Sequence, residues 1–316
     1  MTVVALDPRP EHALTRPDAF LGLASGGETV AEAALWWSPP LVLPESGSAG
    51  RIGHVRWRDA ETGTALLRAC ADRLREAGST RALGPLDGST WFSYRVVSDE
   101  APAGVTHPPF ASEPWQPTAV GRAFEEAGFA PVAHYLSSVV DALPDESEQA
   151  AADRARLADA GIHLRAFDPG HAQDELASLH GLLLRAFAGN PYYAPLDEER
   201  FQALYGPLVA QVDPELVLIA EHERQRVGVL LAFPDAAQAA RGEAIDTVVV
   251  KTLAVDPGWR GKGLGGALVR IGQEAARQKG YRRAIHALMH AENASVRISR
   301  HLGRPMRSYA LLGRHL

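Results

Sequence analysis

The sequence predicts an α/β protein made of two related units, each with a mixed, mostly antiparallel sheet flanked by helices. Two observations support this prediction: strand and helix periodicities alternate through the second half, and an internal repeat relates the two halves. A chain of 316 residues, 46% of them hydrophobic, is long enough for two ordinary cores. We therefore expect a first domain over residues 1–145, a linker over 146–160 and a second domain over 161–316.

The second half is a regular series of strands and helices. A polar, alanine-rich stretch without β-branched residues, 141–161, precedes it and is typical of a linker that can be helical. In the helix over 264–279, apolar residues form one stripe, and we expect Arg270, Glu274 and Arg277 to face water. The predicted elements are, in order, a strand (IHLRAFDP), a helix (AQDELASLHGLLLRAFAG), a hairpin around Glu223–Arg226, a strand (TVVVKTLAV), a glycine-rich turn, the helix just described, a strand (YRRAIHALM), a short helix from about Asn293 to about Leu302, and a last strand (MRSYALLGRHL).

An internal repeat relates residues 57–78 to residues 259–280 without a gap. Eight positions are identical, including a Trp-Arg pair at the start and a glycine at the end. This match favours a duplicated unit over chance similarity between two helices of like composition. Asp59 and Glu61 stand where the second copy has glycines. Since carboxylates repel an anion, we expect the first copy to bind none there and to be non-catalytic.

The stretch WRGKGLGGALVR, residues 259–270, places four glycines within six positions at the start of a predicted helix. A strand that ends in such a turn presents backbone N–H groups, with the positive end of the helix dipole behind them. Glycine lets an anion approach this backbone closely, and Arg260 and Lys262 add positive charge. The sequence therefore predicts a phosphate or pyrophosphate site at this turn.

Two other phosphate-binding motifs fit this turn less well. Gly261, Gly263 and Gly266 match the dinucleotide fingerprint G-x-G-x-x-G. Too few elements follow for a doubly wound sheet, however, and the next strand ends in histidines rather than in an acidic residue that would hold a ribose. A Walker A loop needs Ser or Thr after its Gly-Lys pair, whereas Gly263 follows here. A dinucleotide enzyme stays open as a third interpretation.

The spacing of Arg260, Gly263 and Gly265 resembles motif A of the GNAT superfamily of N-acetyltransferases. The strand before the turn, its Asp-Pro pair and the helix after it resemble the same family, and the resemblance covers residues 162–316. The first half is similar mainly through the internal repeat. The resemblance implies two tandem GNAT-like domains, of which the second is catalytic.

The resemblance also implies the ligands and the residues that hold them. The acyl donor would be acetyl-CoA, without a metal, and the acceptor an amine of a small molecule or peptide, to which the acyl group passes directly. Leu253, Ala254 and Val255 would pair their backbone with the pantetheine arm, as an added strand does. The pyrophosphate would be held by Arg260, Gly261, Lys262, Gly263, Leu264, Gly265 and Gly266.

The short helix near the C-terminus resembles the family's second motif in part. Asn293 stands near its start, where it would contribute to the cofactor site, and Leu302-Gly303 resembles its end. The family often has a tyrosine where this chain has Ser299, and Arg304 replaces a phenylalanine. Ser299 is therefore the catalytic candidate: its hydroxyl would bond to the thioester sulfur, although serine is a poor proton donor for the departing thiolate, and a solvent-exposed serine is the alternative.

The sequence leaves the general base and the acceptor pocket open. Lys251 either faces the site and binds an acidic acceptor or lies in solvent at a strand edge. His286 and His290 are further candidates for the base, because alternation places them on one face of a strand. The segment where the family places its acceptor loop contains Tyr192, Tyr193, Tyr205, Asp197, Glu198 and Glu199. These side chains either line an amine pocket or anchor the loop to the core and begin a solvated helix.

Composition limits the other classes of function. The formal charge of −6 and the pI of about 6.1, without blocks of like charge, argue against nucleic acid as a partner. No apolar run is long enough for a membrane span, and a single cysteine rules out an internal disulfide. We expect a cytoplasmic protein, either a monomer with an internal pseudo-dimer or a homodimer. A regulator or scaffold that binds acyl-CoA without catalysis is the alternative to an enzyme.

Overall fold

The structure is a computed structural model that describes residues 1–9, 12–43 and 47–316. The strands of the first half are β1 (Thr2–Ala5), β2 (Ala19–Ser25), β3 (Glu28–Val42), β4 (Ser48–Trp57), β5 (Arg81–Gly84), β6 (Val96–Asp99) and β7 (Ala130–Val140). Its helices are α1 (Ala60–Glu76) and α2 (Thr118–Glu126). In the second half the strands are β8 (His163–Ala166), β9 (Val217–His222), β10 (Gln225–Pro234), β11 (Thr247–Val255), β12 (Arg283–His290) and β13 (Arg304–His315). The remaining helices are α3 (Ser147–Asp159), α4 (Ala172–Phe187), α5 (Glu198–Tyr205), α6 (Ala236–Ala240), α7 (Leu264–Gln278) and α8 (Ala294–Arg300).

The two halves share one continuous, mostly antiparallel sheet, which confirms the predicted fold class. Its strand order is β1-β2-β3-β4-β5-β13-β7-β12-β11-β10-β9-β8, and β6 pairs with β13 beside this path. Each half contains one parallel pair, β4 with β5 and β11 with β12, and each pair is joined by a crossover helix, α1 or α7. The duplicated unit is therefore visible in the fold as well as in the sequence.

The last strands of the two halves are exchanged. β13, from the second half, pairs with β5 and β7 of the first half, and β7 pairs in turn with β12 of the second. The domain limits 1–145 and 161–316 stay a prediction, but the hydrogen bonds of the sheet cross them. Each half therefore contributes a strand that is hydrogen-bonded to strands of the other half.

The predicted linker forms α3, which packs against α7. Leu157 and Ala150 of α3 are buried in the core of the second half. Arg270 of α7 donates from Nε to Asp153 of α3 at 2.9 Å, and Glu274 is only 5% exposed. The prediction that Arg270, Glu274 and Arg277 face water is therefore wrong for Glu274, which the start of α3 covers, whereas Arg270 and Arg277 each keep 33% of their side-chain surface exposed.

The two copies of the repeat differ most between strand and helix. In the first copy only residues 58 and 59 separate β4 from α1, whereas residues 256–263 separate β11 from α7. The Asp59 side chain accepts from the Thr62 N–H and caps α1, so a carboxylate already occupies the end of that helix. This geometry agrees with the expectation that the first copy binds no anion there.

The remaining predicted elements of the second half lie where the sequence placed them. β9 and β10 form the expected antiparallel hairpin, and the helix predicted after Asn293 is α8. Over the described ranges of the chain, no helix combines the length and the hydropathy that crossing a membrane requires.

Candidate functional site

A cleft opens where β11 and β12 separate. Their parallel pairing runs from Thr247 with Arg283 to Val250 with His286 and then stops. β11 continues to Val255, with its other edge paired to β10. The edge that faces β12 is consequently open from Lys251 onward, and it offers backbone groups to an extended ligand. Leu253, which the sequence assigned to this role, lines the cleft, whereas the Ala254 side chain is buried on the opposite face.

The cleft is part of a cavity of about 1060 Å³ between the two halves. Its floor comes from β11 and β12, one wall from α4 and the segment 204–212, and another from residues 87–95 and 111–114 of the first half. Most of the lining is aliphatic or aromatic. A volume at the upper end of the usual range for small-molecule sites indicates more than one ligand, or a large one.

The glycine turn forms a bare helix N-terminus at the end of the open edge. Gly261 and Gly263 adopt left-handed φ values of +75° and +77°, which residues with a side chain rarely adopt. Gly263 is the N-cap of α7, and no side chain caps the helix. The N–H groups of the first turn, including Gly265 and Gly266, therefore lack an intrahelical acceptor and are available to an anion. Leu264, which is 1% exposed, anchors this turn in the core.

Three cationic side chains surround the turn. Arg260 donates to the carbonyl oxygens of Val255 and Ala186, so it braces the strand end and α4 rather than projecting into the cleft. Lys262 places Nζ over the Trp259 ring, 4.6 Å from the ring centroid. Arg156 of α3 donates to the Lys262 carbonyl at 3.3 Å, a contribution that no sequence motif indicates because the stretch resembles a linker.

Lys251 lies at a β-bulge where the cleft begins. Thr252 and Val250 pair with Leu231 and Ala232, so Lys251 has no residue opposite it, and the bulge turns its side chain toward the cavity. Burial, together with the positive charge of the nearby Arg95, lowers the pKa of Lys251 to about 8. The alternative of a solvated strand-edge lysine is thus wrong.

Ser299 does not reach the cavity. Its hydroxyl is 2.9 Å from Nδ1 of His286, and Nε2 of the same ring is 2.8 Å from Nε2 of Gln273. Ser299 is 1% exposed, so it is neither a surface serine nor a group beside a ligand, and the structure does not support it as the thiolate acid. Asn293 does line the cavity, at the start of α8.

His286 is held as a neutral ring, and this arrangement makes stability depend on pH. Burial lowers the pKa of His286 to about 4, so between pH 6.5 and 4 the unfolded chain binds more protons than the folded one. We expect the loss of stability over that window to include a contribution on the order of 3 kcal/mol from this ring. The difference between the guanidinium midpoints of unfolding at pH 7 and pH 4.5 should therefore be smaller in His286→Gln than in the wild type. His301→Gln, a change at an exposed site, should keep the wild-type difference. Parallel pH profiles of wild type and His286→Gln would contradict this.

The predicted acceptor loop contributes only part of what the sequence suggested. Tyr193 and Tyr205 line the cavity. Tyr192 instead packs with the core cluster of the first half and donates to Val132. Asp197, Glu198 and Glu199 are exposed at the start of α5, where Asp197 caps the helix, so the solvated-helix interpretation applies to them. His290 lines the cavity beside Tyr135, and burial lowers its pKa.

The first half supplies cavity residues that no sequence motif indicates. Arg95 and Glu113 both lie on irregular segments of that half and line the cavity. Glu113 is fully buried in an ion pair with Arg307 of β13 at 2.7 Å, and the Tyr309 hydroxyl donates to it as well. Ser137 connects Tyr309 to the N–H of Leu288 at the bulge of β12. The exchanged strand thus supports the wall of the cavity from behind.

Comparisons with known proteins agree with this geometry. Residues 178–303 match the sequence model of the Acetyltransferase (GNAT) family. A bacterial ceramide synthase of Caulobacter vibrioides is 27% identical over 205 residues, which is 62% of this chain and 52% of that protein. A mycothiol acetyltransferase of Thermobispora bispora is 30% identical over 145 residues, 45% of this chain and 46% of that protein. The chain thus spans about half the length of each relative.

Solved structures show the same fold. A tandem GNAT protein from the clavulanic acid biosynthesis pathway superposes with a TM-score of 0.50 at 13% identity. The match covers 94% of this chain and 82% of that one, so it includes both halves. At this identity the similarity shows the tandem architecture alone.

Proposed function

From the match of residues 178–303 to the GNAT acetyltransferase family model we propose that the chain transfers an acyl group from acyl-CoA to an amine. The observation that supports the donor best is the pairing of two features: an uncapped helix N-terminus at Gly263 and an open strand edge that leads away from it. A pyrophosphate binds the first, and the amide-bearing pantetheine arm pairs with the second.

The reaction needs little from the protein besides orientation. The acceptor nitrogen forms a C–N bond to the acyl carbon, the thioester C–S bond breaks, and the nitrogen's proton is lost as the CoA thiolate gains one. Holding the thioester at Lys251, where the strands begin to separate, and the amine in the cavity beyond it makes this step effectively unimolecular. The two halves enclose the reacting groups and limit access of water.

The cavity favours a donor whose acyl group is longer than acetyl, or an acceptor larger than a small amine. An apolar wall runs along α4 and the segment after it, formed by Leu176, Leu179, Leu183, Leu204, Val209 and Val212. One curated relative bears the name ceramide synthase, a second candidate function that this wall favours. Acetyl-CoA stays the donor that the family resemblance implies.

Acyl transfer is tested by thiol release. Acetyl-, octanoyl- and palmitoyl-CoA are each incubated with a panel of primary amines, and free CoA is titrated with a chromogenic disulfide. Amine-dependent CoA release is the expected result, and the preferred chain length distinguishes the two candidates. Tight acyl-CoA binding without CoA release for any amine would favour the regulator or scaffold, and no acyl-CoA binding would refute the proposal.

A further inference from the structure

Two cations face the cavity from opposite halves of the protein. Arg95 follows β5 in the first half, is only 3% exposed and lines the cavity wall. Its guanidinium lies between two aromatic rings, 3.7 Å from the Tyr94 centroid and 4.0 Å from the Tyr135 centroid, and Nη1 donates to the Leu288 carbonyl at 3.0 Å. This sandwich fixes the plane of the guanidinium. Lys251, at the bulge of β11, is the second cation.

Neither cation has an anionic partner within the described ranges of the chain. Nε of Arg95 is buried without a hydrogen bond, and Lys251 Nζ donates to the Ser112 carbonyl at 3.3 Å. Glu113 lines the same cavity, but its two oxygens already accept from Arg307 and the Phe110 N–H. A buried cation with unmet hydrogen-bonding capacity is costly, so the site is built for something that is not part of this chain.

The backbone at Arg95 supports the same interpretation. Its φ is +74°, in the left-handed region that residues other than glycine seldom occupy. Leu288, whose carbonyl it contacts, also has a positive φ, of +59°, at an irregularity in β12. Backbone strain of this kind persists where the surrounding structure stabilises it, and it is frequent at ligand-binding sites.

We propose that Arg95 and Lys251 bind the carboxylate of the acyl acceptor, which makes the acceptor an α-amino acid or a similar amino carboxylate. This inference rests on the proposed function. The donor does not supply the anion, because its phosphates belong at the glycine turn, and Lys251 lies four residues from Val255, roughly 13 Å away along an extended strand. The guanidinium fork suits the two oxygens of a carboxylate. Aromatic side chains beside it, Trp91 and Tyr94 among them, suit an apolar amino-acid side chain.

The test compares two probes that differ only in the carboxylate, N-acetyl-L-phenylalanine and N-(2-phenylethyl)acetamide, by calorimetric titration into the intact chain. Wild type is expected to bind the carboxylate probe about 30-fold or more tightly than the neutral one, and Arg95→Met should reduce that preference below about threefold. Arg95→Lys should restore part of it. Arg51→Met is the matched control, since Arg51 is also buried but donates to the Gly88 and Pro39 carbonyls away from the cavity.

Each outcome bears on the proposal separately from the acyl-transfer reaction. Equal binding of the two probes by wild type, or binding of neither, would overturn the carboxylate site. So would an Arg95→Met protein that weakens both probes alike, because that pattern belongs to a general structural role. If Arg95→Met does not fold, Lys251→Met gives the same comparison. Acetyl-CoA is titrated in parallel, so a carboxylate preference without acyl-CoA binding would retain this site and reject the proposed donor.

Discussion

Replacement of Gly263 by glutamate is expected to raise the dissociation constant for acetyl-CoA by about 100-fold or more, a loss of about 2.7 kcal/mol. Two effects add. A side chain at φ +77° strains the turn by about 1–2 kcal/mol, and the new carboxylate competes with the pyrophosphate for the N–H groups of α7. The first copy shows the second effect, since Asp59 caps α1 in this way. Calorimetric titration of acetyl-CoA measures the change.

Two variants separate loss of the site from loss of the fold. Gly280→Glu also places a glutamate at a positive φ, +94°, in open space, but at the other end of the 15-residue α7, roughly 22 Å away. Glu61→Ala removes a carboxylate from the corresponding turn of the first copy. Both should bind acetyl-CoA like the wild type. Binding by Gly263→Glu at wild-type affinity would show that the pyrophosphate lies elsewhere, and gained binding in Glu61→Ala would give the first copy a site of its own.

The parts of the fold that the sequence predicted are those that depend on local patterns. Period-two and period-3.6 hydrophobicity identified β9 to β12 and α7, and the glycines at 261 and 263 marked a turn that only permissive residues can form. The proposed phosphate site also depends on a local pattern, since a helix N-terminus is formed by consecutive residues.

The parts that the sequence did not predict depend on contacts between distant segments. The pattern of β13 predicts a strand but carries no information on its partners, so its insertion between β5 and β7 could not be inferred. The apolar stripe of α7 predicts Glu274 in water, and its burial depends on the packing of α3 against α7. Arg95 belongs to no motif, and it becomes a site residue only because the first half is placed against β12. The position of Ser299 in a motif predicts a site residue, yet its orientation on α8 directs the hydroxyl to His286.

The exchanged strand leads to the second large effect, on stability. The side chains of Arg307 on β13 and Glu113 on the first half are both fully buried, and they form a two-oxygen ion pair at 2.7 and 2.8 Å. Arg307→Met would leave the Glu113 carboxylate without its counter-charge, and we expect a loss of about 3–5 kcal/mol in the free energy of unfolding. Guanidinium unfolding followed by circular dichroism measures it. Because β7 and β13 belong to the ladders of both halves, one cooperative transition is expected rather than two.

Arg304, three residues earlier on the same strand, is the matched control for this loss. Its ion pair with Asp141 has the same 2.7 Å separation but is exposed, so Arg304→Met should cost less than about 1 kcal/mol. The double variant Arg307→Met with Glu113→Gln removes the buried charge and keeps an acceptor for Tyr309, so it should be more stable than Arg307→Met alone. Equal losses at positions 304 and 307 would mean that burial does not strengthen the second pair. Two separate transitions in the wild type would mean that the exchanged strands do not couple the halves.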